Sequence, residues 1–141
     1  MKAKLYNIRL AVTNLEQSIS FYRKVFCKLG FGNGRLYEDP YDKKPSFVIG
    51  NDNFYLELIE EPQMVPSSDK TNPLGSRIEL LVDSVKEVDE FHEYLKDQNV
   101  HVLMPPQRLY DDVLDGENDI WYGVYFLDNN GYKFGVIYTP K

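Results

Sequence analysis

One cysteine and two histidines are all the thiol and imidazole that 141 residues hold. A single cysteine forms no internal disulfide, and a cytoplasmic setting is the expectation. A thiol nucleophile needs a neighbouring base, and no histidine stands near Cys27 in sequence. Cys27 is therefore expected as a small buried side chain of the first helix. Basic residues are outnumbered 16 to 22, for a formal net charge of −6. That argues against nucleic acid, where phosphate contacts need clustered Lys and Arg. It favours neutral or cationic small molecules. No apolar run is long enough to span a bilayer, and the opening MKAKLYNIRL lacks a signal-peptide core. Gly30, Gly32 and Gly34 follow a helical pattern rather than a strand, so they make no dinucleotide fingerprint. There is no serine nucleophile motif.

What is present is periodicity. Residues 5–13 alternate, with Tyr6, Ile8, Leu10 and Val12 on one face and Leu5, Asn7, Arg9 and Ala11 on the other. A period of two predicts a strand. Thr13 or Asn14 is placed to cap a helix whose stripe is Leu15, Ile19, Tyr22 and Phe26, and Gly30 ends it. Short strands are predicted at 35–38, 46–50 and 54–60, with a turn at Asn51-Asp52-Asn53. Residues 61–76, rich in Pro, Ser and Asn, read as an exposed connection.

The pattern then begins again. RIELLVDSVKEVDEFHEYLKDQNVHV (77–102) supplies a strand with Ile78, Leu80 and Val82 on one face, then a helix with the stripe Val85, Val88, Phe91 and Leu95. Ile8, Leu10 and Val12 align with Ile78, Leu80 and Val82 at a constant offset of 78 − 8 = 70. NDNFYLELI (51–59) resembles NNGYKFGVI (129–137), offset 137 − 59 = 78. HVLMPP (101–106) and WYGVYFLD (121–128) supply the remaining strands, and 107–119 reads as an acidic loop or short irregular strand. The chain is two strand–helix–strand–strand–strand modules in tandem. Two such sheets facing each other would enclose a cleft, a usual place for a ligand.

Four stretches carry a resemblance, the first three being Ile8-Arg9-Leu10-Ala11-Val12 with Asn14 to Ser18 and Phe21-Tyr22; the helix end Leu29-Gly30-Phe31; and Leu56-Glu57-Leu58. Phe126 to Tyr132 stands where the family has a Phe-x-Asp-Pro-x-Gly-Asn-like turn. In order and spacing these resemble the vicinal oxygen chelate superfamily of glyoxalase I, extradiol dioxygenases and bleomycin-resistance proteins. The resemblance implies an α+β fold: two tandem βαβββ modules forming an incomplete eight-stranded barrel around a cavity. It implies one domain over 1–141, with module one about 1–62, a linker about 63–75 and module two about 76–141.

Enzymes of this family hold a divalent metal with four side chains, usually His or Glu. The resemblance maps those positions onto Asn7, Glu57, Arg77 and Gly135. Only Glu57 is an ordinary ligand, where about three are needed. Asn7 offers one neutral oxygen, Gly135 no side chain, and Arg77 a fixed cation that repels another. His92 and His101 lie away from these positions. No metal and no other cofactor is expected.

An arginine in place of the metal is the suggested replacement, its guanidinium paired with Glu57. Asn7, Arg9, Tyr55, Glu57, Arg77, Glu79, Trp121 and Lys133 are the expected cavity residues. Either Trp121 or Tyr122 faces the cavity, depending on strand register. Tyr110 is a candidate to close over a ligand, and the acidic run Asp111, Asp112, Asp115, Glu117 and Asp119 reads as a solvated loop or as a rim that attracts a cation; the run lacks calcium-loop spacing. The function that follows is metal-independent binding or sequestration of a small, cationic or aromatic molecule by a homodimer. The alternative is a lyase, isomerase or dioxygenase, either metal-dependent with unusual ligands or metal-free with Glu57 as the catalytic base.

Overall fold

The computed structural model describes residues 1–63, 75–109 and 121–140. Two compact units divide the chain, Met1–Pro66 and Ser67–Lys141. Each carries one helix and one four-stranded sheet, so the expected tandem βαβββ, α+β arrangement is present.

In the first unit, β1 (Asn7–Val12) leads into α1 (Leu15–Phe26), followed by β2 (Arg35–Glu38), β3 (Pro45–Gly50) and β4 (Tyr55–Glu60). Asn14 caps α1, its side chain accepting the Gln17 N–H at 3.0 Å. Gly30 ends the helical stretch with φ of 82°, a left-handed conformation that costs glycine little. The sheet order is β1-β4-β3-β2, with β1 and β4 parallel and the rest antiparallel. Helix α1 packs on β3 and β4. There Tyr22 stacks on Phe26 at 4.9 Å, and both are fully buried with Val12, Phe47, Leu56 and Leu58. The alternation read from the sequence sets this face, where Leu10 and Val12 of β1 and Leu56 and Leu58 of β4 are buried.

The second unit repeats the order. It contains β5 (Ile78–Leu81), α2 (Val85–Asp97), β6 (Val102–Leu109), β7 (Trp121–Leu127) and β8 (Lys133–Tyr138), with sheet order β5-β8-β7-β6. Ser84 caps α2 by accepting the Glu87 N–H at 3.1 Å. Phe91 meets Phe126 edge-to-face at 5.6 Å, over buried Leu95, Phe134 and Val136. Between β7 and β8, Asp128 Oδ1 accepts the N–H groups of Asn130 and Tyr132, both at 2.8 Å.

Several expectations are corrected. Cys27 is exposed, not buried. It opens the 3₁₀ turn after α1, one residue past buried Phe26, and its thiol donates to the Lys24 carbonyl. Val85, at the first turn of α2, is 37% exposed and lies outside the buried stripe. Strand β6 runs on to Leu109, beyond the predicted end at 106. It is the sheet's edge, and its register with β7 shifts between Met104 and Gln107, which accommodates the non-donating Pro105 and Pro106. Tyr110 and the acidic residues from Asp111 to Asp119 lie outside the described residues, as does most of the connection over 63–75.

Candidate functional site

The two sheet faces that turn away from the helices hold the expected site residues, and the strand register fixes their order. In the first unit one rung crosses all four strands: Arg9 pairs with Glu57, Glu57 with Val48, and Val48 with Arg35. One step of the pleat away, Asn7 lies beside Tyr55 and Tyr55 beside Gly50. Tyr6, Asn7, Arg35, Tyr37, Val48, Tyr55 and Glu57 line a concavity of about 310 Å³. The Tyr6 and Tyr55 rings meet edge-to-face at 5.6 Å. An added Cβ at Gly50 would fall 2.4 Å from the Tyr55 ring, so glycine is what lets that ring lie across the strand.

Charge on this face is organised by Arg9. Its Nε lies 3.1 Å from Glu57 Oε1, while Nη2 lies 3.0 Å from Asp42 Oδ2 and 3.5 Å from Asp39 Oδ2. One guanidinium thus serves three carboxylates, leaving an excess of negative charge. Asp39 also accepts the backbone N–H groups of Tyr41 at 2.9 Å and Asp42 at 3.1 Å. Those two bonds, Tyr41 first, hold its carboxyl below the ordinary range, and Arg9 adds to the effect.

In the second unit, Glu79 pairs with Gly135 and Gly135 with Tyr125. Glu79 Oε1 accepts from Arg77 Nε at 2.5 Å and from the Tyr125 hydroxyl at 2.7 Å, and the Arg77 guanidinium stands 5.4 Å from the Tyr125 ring centre. Among the described residues, Arg77 thus pairs with Glu79 and Glu57 with Arg9. Each of the two groups expected to pair with the other has a partner from its own unit. Trp121 packs against the buried pair Tyr125 and Ile137, on the sheet face away from α2. Tyr122 points the other way, its hydroxyl donating to Asp89 of α2 at 2.5 Å. Asp89 raises the Tyr122 pKa to about 12, because the bond favours the protonated phenol. The register question left by the sequence is thus answered for Trp121. Lys133 shares the Gly135 face by register and is buried, 7% exposed.

The four positions mapped as metal ligands do not fit a divalent ion. Asn7 supplies a neutral oxygen, Glu57 already faces a guanidinium, and Arg77 is itself a cation. The fourth position is closed as well as empty of donors, since a Cβ at Gly135 would fall 2.4 Å from the Tyr125 ring. Among the described residues, no group of three or more His, Cys, Asp or Glu is arranged to hold a metal.

Sequence reasoning did not find Asp39, Asp42, Arg35, Tyr37 or Tyr125. Arg35 and Tyr37 alternate within RLYE and share a strand face, which was a usable signal. Tyr125 shares the period-two phase of Trp121. The two aspartates sit around a loop and carry no spacing that marks them.

Comparisons with known proteins agree with this geometry. The profile of the Glyoxalase/Bleomycin resistance protein/Dioxygenase superfamily matches residues 4–136. A hypothetical protein from S. aureus is 25% identical with a TM-score of 0.58, over 98% of this chain and 96% of that one. The genomically encoded fosfomycin resistance protein of Listeria monocytogenes is similar at 18% identity and a TM-score of 0.65, over 98% and 94%. The lactoylglutathione lyase of Agrobacterium tumefaciens is similar at 19% identity and a TM-score of 0.63, over 97% and 94%. A search of curated protein sequences returns no match. With both its repeats and nearly all its length covered by that profile, the chain belongs to the glyoxalase/bleomycin resistance protein/dioxygenase superfamily.

Proposed function

We propose that this protein binds or sequesters a small organic molecule without a divalent metal, the concave face of the first unit supplying the contacts. The observation that carries the reading is the Tyr125 ring over Gly135. It occupies the space a fourth ligand side chain would need, while Arg77 and Glu79 neutralise each other beside it. Support for a small-molecule site comes from the concavity itself, whose volume and aromatic lining suit a compact ligand. The surplus of carboxylates around Arg9 favours a ligand with positive charge. The candidate residues are Asn7, Arg9, Tyr55 and Glu57 on the sheet of the first unit and, taken separately, Arg77, Glu79, Trp121 and Lys133 on that of the second. Residues 1–141 are read as one functional domain, a reading supported by the family profile over residues 4–136. A homodimer in the cytoplasm completes the proposal.

The second reading is catalysis. Similar proteins include a lactoylglutathione lyase and a mutant of the Listeria fosfomycin resistance protein complexed with Mn(II) and 1S,2S-dihydroxypropylphosphonic acid. Here Glu57 is the carboxylate that lines the concavity among the described residues and is the candidate base, with Arg9 beside it as a cation for developing negative charge.

The test is a thermal-shift screen of cationic and aromatic small molecules on EDTA-treated protein, with a turnover assay on each hit. The binding reading expects a rise in Tm that needs no added metal. Hits that appear only when a divalent ion is restored would overturn it.

A further inference from the structure

The rung that crosses the first sheet carries charge at both ends of its concave stretch. Glu57 stands on β4 and Arg35 on β2, with Val48 of β3 between them. The two strand spacings put their backbones about 10 Å apart, and both side chains line the same concavity.

The two charges differ in what the protein already gives them. Glu57 is largely buried, its side chain 14% exposed, and its Oε1 faces Arg9. Arg9 is shared with Asp39 and Asp42, so Glu57 competes with two other carboxylates for one cation. Its second oxygen has no protein donor among the described residues. Arg35 is exposed and forms no ion pair among the described residues. A guanidinium on a sheet face beside aromatic rings is a fixed fork for a planar anion. The surface between the two charges is apolar and aromatic: Val48 as the floor, with Tyr37, Tyr55 and Tyr6 around it.

We propose that the ligand of this concavity is amphoteric, with a protonated nitrogen held by the Glu57 carboxylate and an acid group held by the Arg35 guanidinium. An aromatic or compact apolar body lies between them on Val48 and the tyrosine rings. The class is a small zwitterion whose charges sit at opposite ends of a flat body. A purely cationic molecule leaves Arg35 without a counter-charge, and a purely anionic one brings like charge toward Glu57, Asp39 and Asp42. The inference rests on the small-molecule reading given above and goes further by naming the ligand's charges.

Four probes of one shape separate the possibilities: 4-(aminomethyl)benzoate, benzylamine, benzoate and benzyl alcohol. Each is titrated into the full chain while the amide resonances of Val48 and Tyr55 are followed by NMR. The zwitterion should bind on the order of tenfold more tightly than either singly charged probe, about 1.4 kcal/mol. Arg35→Gln, a change at an exposed side chain, should erase its advantage over benzylamine, which itself should bind no more weakly once the like charge is gone. Glu57→Gln should erase its advantage over benzoate. If the zwitterion binds no better than the single-charge probes, or Arg35→Gln leaves its affinity unchanged, the amphoteric assignment is wrong although the concavity still binds. If none of the four moves the Val48 and Tyr55 resonances, both this assignment and the small-molecule reading of the concavity fail.

Discussion

At Gly135 the absence of a side chain and the presence of a ring are one fact. Tyr125 lies where a Cβ would go, and its hydroxyl is tied to Glu79 at 2.7 Å. Gly135→Ala should therefore overpack the site and cost about 1–3 kcal/mol, measured by urea denaturation; a neutral result would mean the ring moves freely. Arg77→Ala leaves Glu79 with the Tyr125 hydroxyl, and both charged side chains are about one-fifth exposed. The expected loss is ~1–3 kcal/mol, below the 3–5 kcal/mol that breaking a fully buried ion pair costs. Asp39 makes a separate, pH-dependent prediction. Its carboxyl is held below the ordinary 3.8, so it contributes stability above that pH and loses it as pH falls through the lowered folded value. Asp39→Asn should be less stable than wild type at neutral pH, with the gap closing under acid in pH-dependent thermal melts. A gap independent of pH would contradict the role given to its charge.

Among the elements, the helices were the most legible features. Asn14, one of the two caps the sequence offered, caps α1; Ser84 caps α2, a role not read from the sequence although serine before an apolar stripe was a usable signal. The strand alternation in β1 and β4 placed Asn7, Arg9, Tyr55 and Glu57 on one face, because burial behind α1 forces the other phase inward. What could not be read were contacts that depend on register or on loops. Nothing in the spacing of Glu57 and Glu79 told which cation each acid would meet. The answer lay in the parallel pairing of Arg9 with Glu57 and in the short reach from Arg77 to Glu79. The direction of Trp121 likewise waited on the β7–β8 register. Cys27 was misjudged because one step past Phe26 carries a side chain from the buried stripe to solvent.

The join between α2 and β7 provides an element-scale test. Tyr122 donates to Asp89, and its pKa is raised from 10.0 to about 12. A raised folded value means the contribution is complete below the unfolded pKa and is lost as pH climbs toward the folded one. Tyr122→Phe should cost about 0.5–1.5 kcal/mol at neutral pH. The difference from wild type should shrink between pH 10 and about 12, as read by urea melts across that range. A difference that stays constant there would show that the bond to Asp89 does not hold the proton on the phenol.

For the whole molecule, the tandem repeat carries the fold, and family membership follows from both repeats together. The chemistry does not follow from the fold, because the same framework supports unrelated reactions and binders. The four positions that the sequence resemblance maps to metal ligands hold an amide, one carboxylate, a guanidinium and a glycine under a tyrosine ring. Arg9 lies on Glu57 and Arg77 on Glu79, and the proposal is that these guanidinium groups supply the charge balance an ion would otherwise give. Element analysis after loading tests this most directly: the purified protein is incubated with Zn(II), Ni(II), Mn(II) and Fe(II) in turn, passed through gel filtration, and its metal content counted. The account predicts far less than one ion per chain in every case. One ion retained per chain, and lost in Glu57→Gln, would contradict it.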